Sequence, residues 1–156
     1  MTRSALGFDL TPPNAEERAR LEATLSAEER DVLLHHGTEA PFCGGLLNQK
    51  QSGFYCCRLC GLPLFGWGAK FESGTGWPSF YAPINEANVK GVEDRSYGMR
   101  RVETRCARCD SHQGHVFPDG PRPTGLRYCI NSVSLAFVPK GEPLPDPLGR
   151  GDRFQE

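Results

Sequence analysis

Two apolar stripes near the start of the chain, and a series of short extended runs after them, divide it into a small helical part and a larger β part. Leu21 and Leu25 repeat four residues apart behind Asn14-Ala15-Glu16-Glu17, an N-cap with an acidic first turn. Val32, Leu33 and Leu34 form the second stripe. It follows Ser26-Ala27-Glu28-Glu29, which fits the capping-box pattern, and ends at Gly37, a natural helix stop. Two short helices are therefore predicted, and no helical period of comparable length follows. From Thr38 onward the apolar residues fall in short runs between turns. Gly53-Phe54-Tyr55-Cys56, Pro63-Leu64-Phe65 and Lys70-Phe71-Glu72 are extended pieces. Gly98 to Arg105 carries Met99, Val102 and Thr104 among charges and reads as an exposed strand. Val133, Leu135 and Phe137 alternate with Ser134 and Ala136, an inward/outward pattern. In Arg127-Tyr128-Cys129-Ile130-Asn131-Ser132, strand alternation places Arg127, Cys129 and Asn131 on one face.

The fold class is thus mainly β with short N-terminal helices. Residues 1–13, ending in Thr11-Pro12-Pro13, are expected to be loose, and residues 14–138 to form a single domain. Residues 139–156, with Pro143, Pro145, Pro147, Gly149 and Gly151, are expected to form a loose tail.

Composition narrows the function. The 156 residues carry 18 basic and 19 acidic side chains, a net charge of -1. That excludes a basic footprint for nucleic acid and a polybasic membrane patch. Met1 to Asp9 contains no apolar run, so a signal peptide is not expected, and no stretch approaches the ~18 apolar residues of a membrane span. Seven cysteines, an odd number, then argue for reduced thiols and a cytoplasmic location.

Four of the seven fall in Cys57-Arg58-Leu59-Cys60 and Cys106-Ala107-Arg108-Cys109. Two thiolates two residues apart bind one tetrahedral ion from a tight turn, and a second such turn completes a four-cysteine zinc site. The 45 intervening residues make it a clamp between distant parts of a sheet. The site is closed, so the metal stabilises the fold and does no chemistry. The alternatives are a redox-active CxxC, which wants a βαβ setting this chain lacks, or ordinary buried cysteines. Cys56 reads as a buried filler pointing away from its neighbour. Cys129 lies outside both pairs and is either a buried filler or a nucleophile. A histidine-bearing loop, Asp110-Ser111-His112-Gln113-Gly114-His115-Val116-Phe117-Pro118-Asp119-Gly120-Pro121, follows the second pair. Its two histidines read as metal ligands, as acid/base groups, or as structural side chains. Gly74-Thr75-Gly76-Trp77-Pro78-Ser79-Phe80 is a glycine-rich turn in which Trp77 is extended by Pro78. Trp77 is a core aromatic by default and a ligand wall if exposed.

Taken together these segments resemble the B-type methionine sulfoxide reductases, which reduce methionine-R-sulfoxide. The matching pieces are His36-Gly37-Thr38-Glu39, the two CxxC pairs, Gly76 to Phe80, His112 to Pro121 and Arg127 to Ser132, in the family's order. The resemblance implies a β-tent-like fold of two antiparallel sheets, with structural zinc away from the active site. It assigns Cys129 as the nucleophile, and His115 and His112 as the groups that contact and protonate the sulfoxide oxygen. Trp77 becomes the wall for the substrate methyl. Arg127, Asn131, Phe117 and Asp119 shape and polarise the pocket, and Thr38 and Glu39 belong to its rim. Arg127 is expected to favour the Cys129 thiolate. The implied cycle forms a sulfenic acid on Cys129 and then a disulfide reduced by thioredoxin.

The chain departs from the family at two places. Many members carry the disulfide-forming cysteine between the two glycines before the tryptophan, where this chain has Thr75. Cys43, in the flexible-looking Ala40-Pro41-Phe42-Cys43-Gly44-Gly45, is then the expected resolving cysteine, with Cys56 the rival. Gln113 replaces an apolar residue between the histidines and is expected to point away from the pocket. Two other classes compete. One is a non-enzymatic zinc-bound β module that binds a protein partner, which would have no need of Cys129, His115 and Trp77 together. The other is a zinc hydrolase or deaminase, which needs an H-x-E and a P-C-x-x-C that this chain lacks.

Overall fold

A computed structural model describes residues 7–153. Both predicted helices form, α1 over Ala15–Glu22 and α2 over Ala27–His35. Each begins with a reciprocal capping box, Asn14 with Glu17 and Ser26 with Glu29, so the first free backbone donors are satisfied locally. Helix α2 ends differently from expectation. His36, not Gly37, adopts the left-handed conformation, with φ of 59°. Leu21, Val32 and Leu33 are buried and seat the helices on the sheets.

Among the described residues, nine strands make two antiparallel sheets, as the resemblance implied. The smaller orders β2 (Pro63–Gly66), β1 (Gly53–Cys57) and β9 (Leu135–Pro139). The larger runs β3 (Lys70–Phe71), β4 (Ser79–Phe80), β8 (Arg127–Ile130), β7 (His112–Phe117), β6 (Arg101–Cys106) and β5 (Val89–Asp94). Tyr55, Phe65 and Phe80 are fully buried, and Phe65 stacks on Phe80 with ring centroids 4.5 Å apart. The histidine segment is a strand, β7, at the centre of the larger sheet and not a loop. Residues 132–134 form a 3-10 turn, which delays the last strand to Leu135.

The two ends are corrections. Phe8 and Leu10 lie in the hydrophobic core, so residues 7–13 are not loose; residues 1–6 of that expectation lie outside the described residues. The proline-rich tail also packs. Leu148 joins the core, and Asp152 is buried against Arg108 in a bidentate pair of 2.8 and 3.1 Å. Proline and glycine limit hydrogen-bonded ladders but do not prevent a strap from seating a leucine and a carboxylate. Among the described residues no helix is long and apolar enough to cross a membrane.

Candidate active site

Strand β8 brings Cys129 to the floor of a cavity of about 250 Å³. The walls are Thr38, Thr75, Trp77, Arg101, Gly114, His115, Phe117, Arg127 and Asn131. Arg127, Cys129 and Asn131 therefore share a face, as alternation requires. Trp77 forms a side wall. Its Nε1 donates to the Glu39 carbonyl at 3.0 Å, which pins the ring to the segment after α2. Asn131 is buried and fixes the same segment, accepting from the Glu39 amide at 3.0 Å and donating to the Gln113 carbonyl at 3.1 Å. The Glu39 carboxylate accepts from the Val133 amide at 2.9 Å. Glu39 itself does not line the cavity; it holds Thr38 and Trp77 in place.

The histidines reach one face by a break in the strand. Residues three apart on a regular strand point to opposite sides. The β6–β7 pairing slips between Thr104 and Arg105, so that Thr104 faces Gly114 and Arg105 faces His112. Gln113 is the extra residue of this bulge. His112 and His115 then approach edge to face, with centroids 5.6 Å apart. Gln113 points away from the cavity, as expected, and donates to Ser111 Oγ at 3.0 Å and to Cys57 Sγ at 3.6 Å.

The two histidines occupy unequal places. His115 lines the cavity, and its Nε2 lies 2.7 Å from Asp94 Oδ2. The Asp94 carboxyl is held far below the usual range, first by the Ser96 amide and then by His115. An ionised carboxylate accepts, so Nε2 carries the proton and Nδ1 is the nitrogen left for the cavity. His112 is buried beneath the cavity wall and bonds Glu103 through Nδ1 at 2.6 Å. Burial would raise the Glu103 carboxyl, but Arg105, His112 and His36 hold it down at about 2.

The Cys129 thiol sits 4.0 Å from Thr75 Oγ1. Burial pushes the thiol above its ordinary value, and the Thr75 hydroxyl and the Arg127 charge only moderate this. The expected thiolate-favouring effect of Arg127 is present but loses to desolvation. One reason is that the guanidinium is already committed. It donates to Asp119 at 2.9 and 3.2 Å and lies 4.5 Å above the Phe117 ring. Asp119 is exposed and outside the cavity, acting on it through Arg127. Arg101 and Asp94 escaped the sequence reading, since nothing in their spacing marks them; they face each other across β5 and β6.

Cys43 is exposed and Cys56 is fully buried, with its thiol pushed strongly up by desolvation. The Cys43 loop rests on the Trp77 turn. The Phe42 amide donates to the Gly76 carbonyl at 2.7 Å, and a Cβ added at Gly76 would meet Pro41 at 2.7 Å.

Away from the cavity, Cys57, Cys60, Cys106 and Cys109 bring four buried sulfurs within 4.8 Å of one another, a set able to hold a metal ion. Cys57 and Cys109 are 3.6 Å apart and Cys60 and Cys106 3.5 Å. A tetrahedron with ~2.3 Å metal–sulfur bonds has edges of roughly 3.7 Å, so the donors fit.

A cavity that sets a lone thiol beside an indole wall and a carboxylate-oriented imidazole defines a thiol-dependent oxidoreductase class. Residues 25–139 match the SelR domain, and the chain belongs to that family. It is 75% identical over 153 residues to a peptide methionine sulfoxide reductase MsrB of Caulobacter vibrioides (strain NA1000 / CB15N), covering 98% of this chain and 96% of the relative. It is 62% identical over 145 residues to the MsrB of Xylella fastidiosa (strain M23), covering 93% and 94%. Against the MsrB of Escherichia coli (strain K12 / DH10B) identity is 53% over 126 residues, covering 81% and 90%.

Proposed function

We propose that this chain reduces methionine-R-sulfoxide, free or in oxidised proteins, to methionine. The observation that carries the reading is the shared cavity of Cys129, Trp77 and His115. Trp77 receives the substrate methyl and orients one epimer. His115, as an imidazolium that keeps its Nε2 proton on Asp94, delivers its Nδ1 proton to the sulfoxide oxygen, with His112 supporting it from beneath, and Asn131 holds the rim. The Cys129 thiolate attacks the sulfur, the sulfur–oxygen bond breaks, methionine leaves and Cys129 keeps the oxygen as a sulfenic acid. Arg127, oriented by Asp119 and Phe117, supports the thiolate.

The sulfenic acid is then attacked by Cys43, releasing water and forming a Cys43–Cys129 disulfide that the dithiol of thioredoxin reduces. Exposure of Cys43, its perch on the turn beside Trp77, and the burial of Cys56 support this choice. Zinc suits the four-sulfur site. Cys57, Cys60, Cys106 and Cys109 would hold it as a closed structural ion whose chemistry is confined to tying the fold together. A reducing cytoplasm suits an enzyme that works through free thiols.

The test uses separated R and S sulfoxide epimers with thioredoxin, for the wild type, Cys129→Ser and Cys43→Ser. The expected result is turnover of the R epimer alone, none in Cys129→Ser, and a single sulfenic acid equivalent in Cys43→Ser. Turnover of the S epimer overturns the substrate assignment. A Cys56–Cys129 disulfide in peptide maps, or full thioredoxin turnover in Cys43→Ser, overturns the resolving step.

A further inference from the structure

Next to the Cys129 cavity, and sharing Thr38, Arg101 and His115 with it, lies a second cavity of about 660 Å³. His36, Glu103 and His112 form part of its lining. The Nδ1 atoms of His36 and His112 both lie 2.6 Å from one oxygen, Glu103 Oε2. The other carboxylate oxygen faces Arg105 at 2.9 Å. All three donor atoms fall within 4.8 Å of one another. Distant parts of the chain build this convergence. The Gln113 bulge turns His112 inward from β7. His36 arrives from the end of α2, in a left-handed conformation that side chains other than glycine rarely adopt. His36 is half-exposed, so an ion has a way in from solvent.

We propose that His36, Glu103 and His112 form a second metal site, for one divalent transition ion, whose occupancy inhibits the thiol chemistry next door. Two imidazoles and a carboxylate suit zinc, cobalt, nickel or copper, and not calcium or magnesium, which prefer all-oxygen shells. The ion takes the place of the two Nδ1 protons, each of which passes through solvent to Nε2 of its own ring so that both imidazoles stay neutral, and the mouth of the cavity leaves positions for water. Arg105 on the far carboxylate oxygen weakens the site, so it binds less tightly than the four cysteines and fills reversibly. With the ion in place, His112 is fixed to it and a positive charge sits one ring away from His115. The inhibition rests on the proposed reductase reading; the binding does not.

Cobalt(II) is the probe, added to protein whose four-cysteine site is already loaded with zinc. One further equivalent is expected, with the visible absorption of nitrogen and oxygen ligands and no thiolate charge-transfer band. The imidazole resonances of His36 and His112 should broaden first, with those of His35 as the internal comparison. His36→Ala should weaken binding by at least about tenfold, the loss that even an outer-shell partner produces. It should keep metal-free turnover, and His36→Gln should match it. In the wild type, added zinc should suppress single-turnover formation of methionine, and in His36→Ala it should not. Absence of the further equivalent overturns the site. So does a thiolate band, or binding that survives His36→Ala and disappears in Cys129→Ser. Binding without inhibition overturns the coupling. A protein that binds cobalt as expected and reduces no sulfoxide in metal-free buffer overturns the proposed activity and leaves the site standing.

Discussion

Cys129 is held in a place that suppresses its own ionisation. Burial raises the thiol, and the first counterweight is the Thr75 hydroxyl, ahead of the partly neutralised Arg127. Only the thiolate reacts, so a raised value leaves less of it at neutral pH, and reactivity must climb as pH rises past the range of an ordinary cysteine. In a Cys43→Ser background, iodoacetamide labelling of Cys129 should titrate above a free cysteine peptide, and Thr75→Val should push the midpoint higher still. A midpoint below that of the peptide would contradict the burial argument. The same 4.0 Å approach of Thr75 to Cys129 carries a second prediction. A thiol placed at position 75 lies within reach of Cys129. Thr75→Cys combined with Cys43→Ser should therefore recover thioredoxin-dependent turnover, and peptide mapping should show a bridge between positions 75 and 129. Failure of both would mean that this turn is too stiff to close a disulfide.

Strand β7 decides whether these side chains meet. A Cβ added at Gly114 would fall 2.0 Å from the Cys129 carbonyl oxygen, because β7 and β8 pack without room for a side chain there. Gly114→Ala must move β8, and with it Cys129, the proposed nucleophile. The expected cost is about 1–3 kcal/mol of stability by overpacking and a fall of about 10²-fold in single-turnover rate from misplacement of the reacting sulfur. Denaturant melts and rapid-quench assays read the two separately; an unchanged rate would mean that the strand relaxes away from the site. Sequence pattern carried some elements and not others for physical reasons. Capping at Asn14 and Ser26 is local chemistry and is visible in four residues. The facing of Arg127, Cys129 and Asn131 follows from alternation alone. The shared face of His112 and His115 was hidden, because it depends on a bulge whose register is set by β6. Arg101 and Asp94 were hidden too, since their partnership exists only across a strand pair. Their residue types say nothing of it.

At the scale of the molecule, the four cysteines tie the hairpin-like end of β1 and β2 to the turn between β6 and β7, and so one sheet to the other. The pairs and their spacing made that clamp legible, whereas the tail was misread because proline and glycine content says little about where a leucine and an aspartate can seat. Asp152 reaches Arg108, and Arg108 in turn donates to the Cys60 carbonyl at 2.7 Å and lies 3.5 Å from its sulfur. Gln113, on the other side, joins Cys57 to the histidine strand. The four-cysteine cluster is therefore the node between the terminal strap and the Cys129 cavity. Arg108→Ala strands the buried Asp152 carboxylate, and removing one member of a buried pair costs about 3–5 kcal/mol. Arg108→Met with Asp152→Leu should recover much of that in denaturant melts, since both charges are then gone. With zinc bound there as proposed, extracting it with a mercurial and a chelator tests the node as a whole. Without the ion, four crowded sulfurs lose their common partner, Arg108 loses its fixed neighbour, and Gln113 loses its anchor. Hydrogen exchange should then show protection falling together in the tail around Leu148 to Asp152 and in β7, with single-turnover activity lost in parallel. Protection lost at the cysteine turns alone, with the tail and β7 unchanged, would mean that the strap and the site stand independently of the metal.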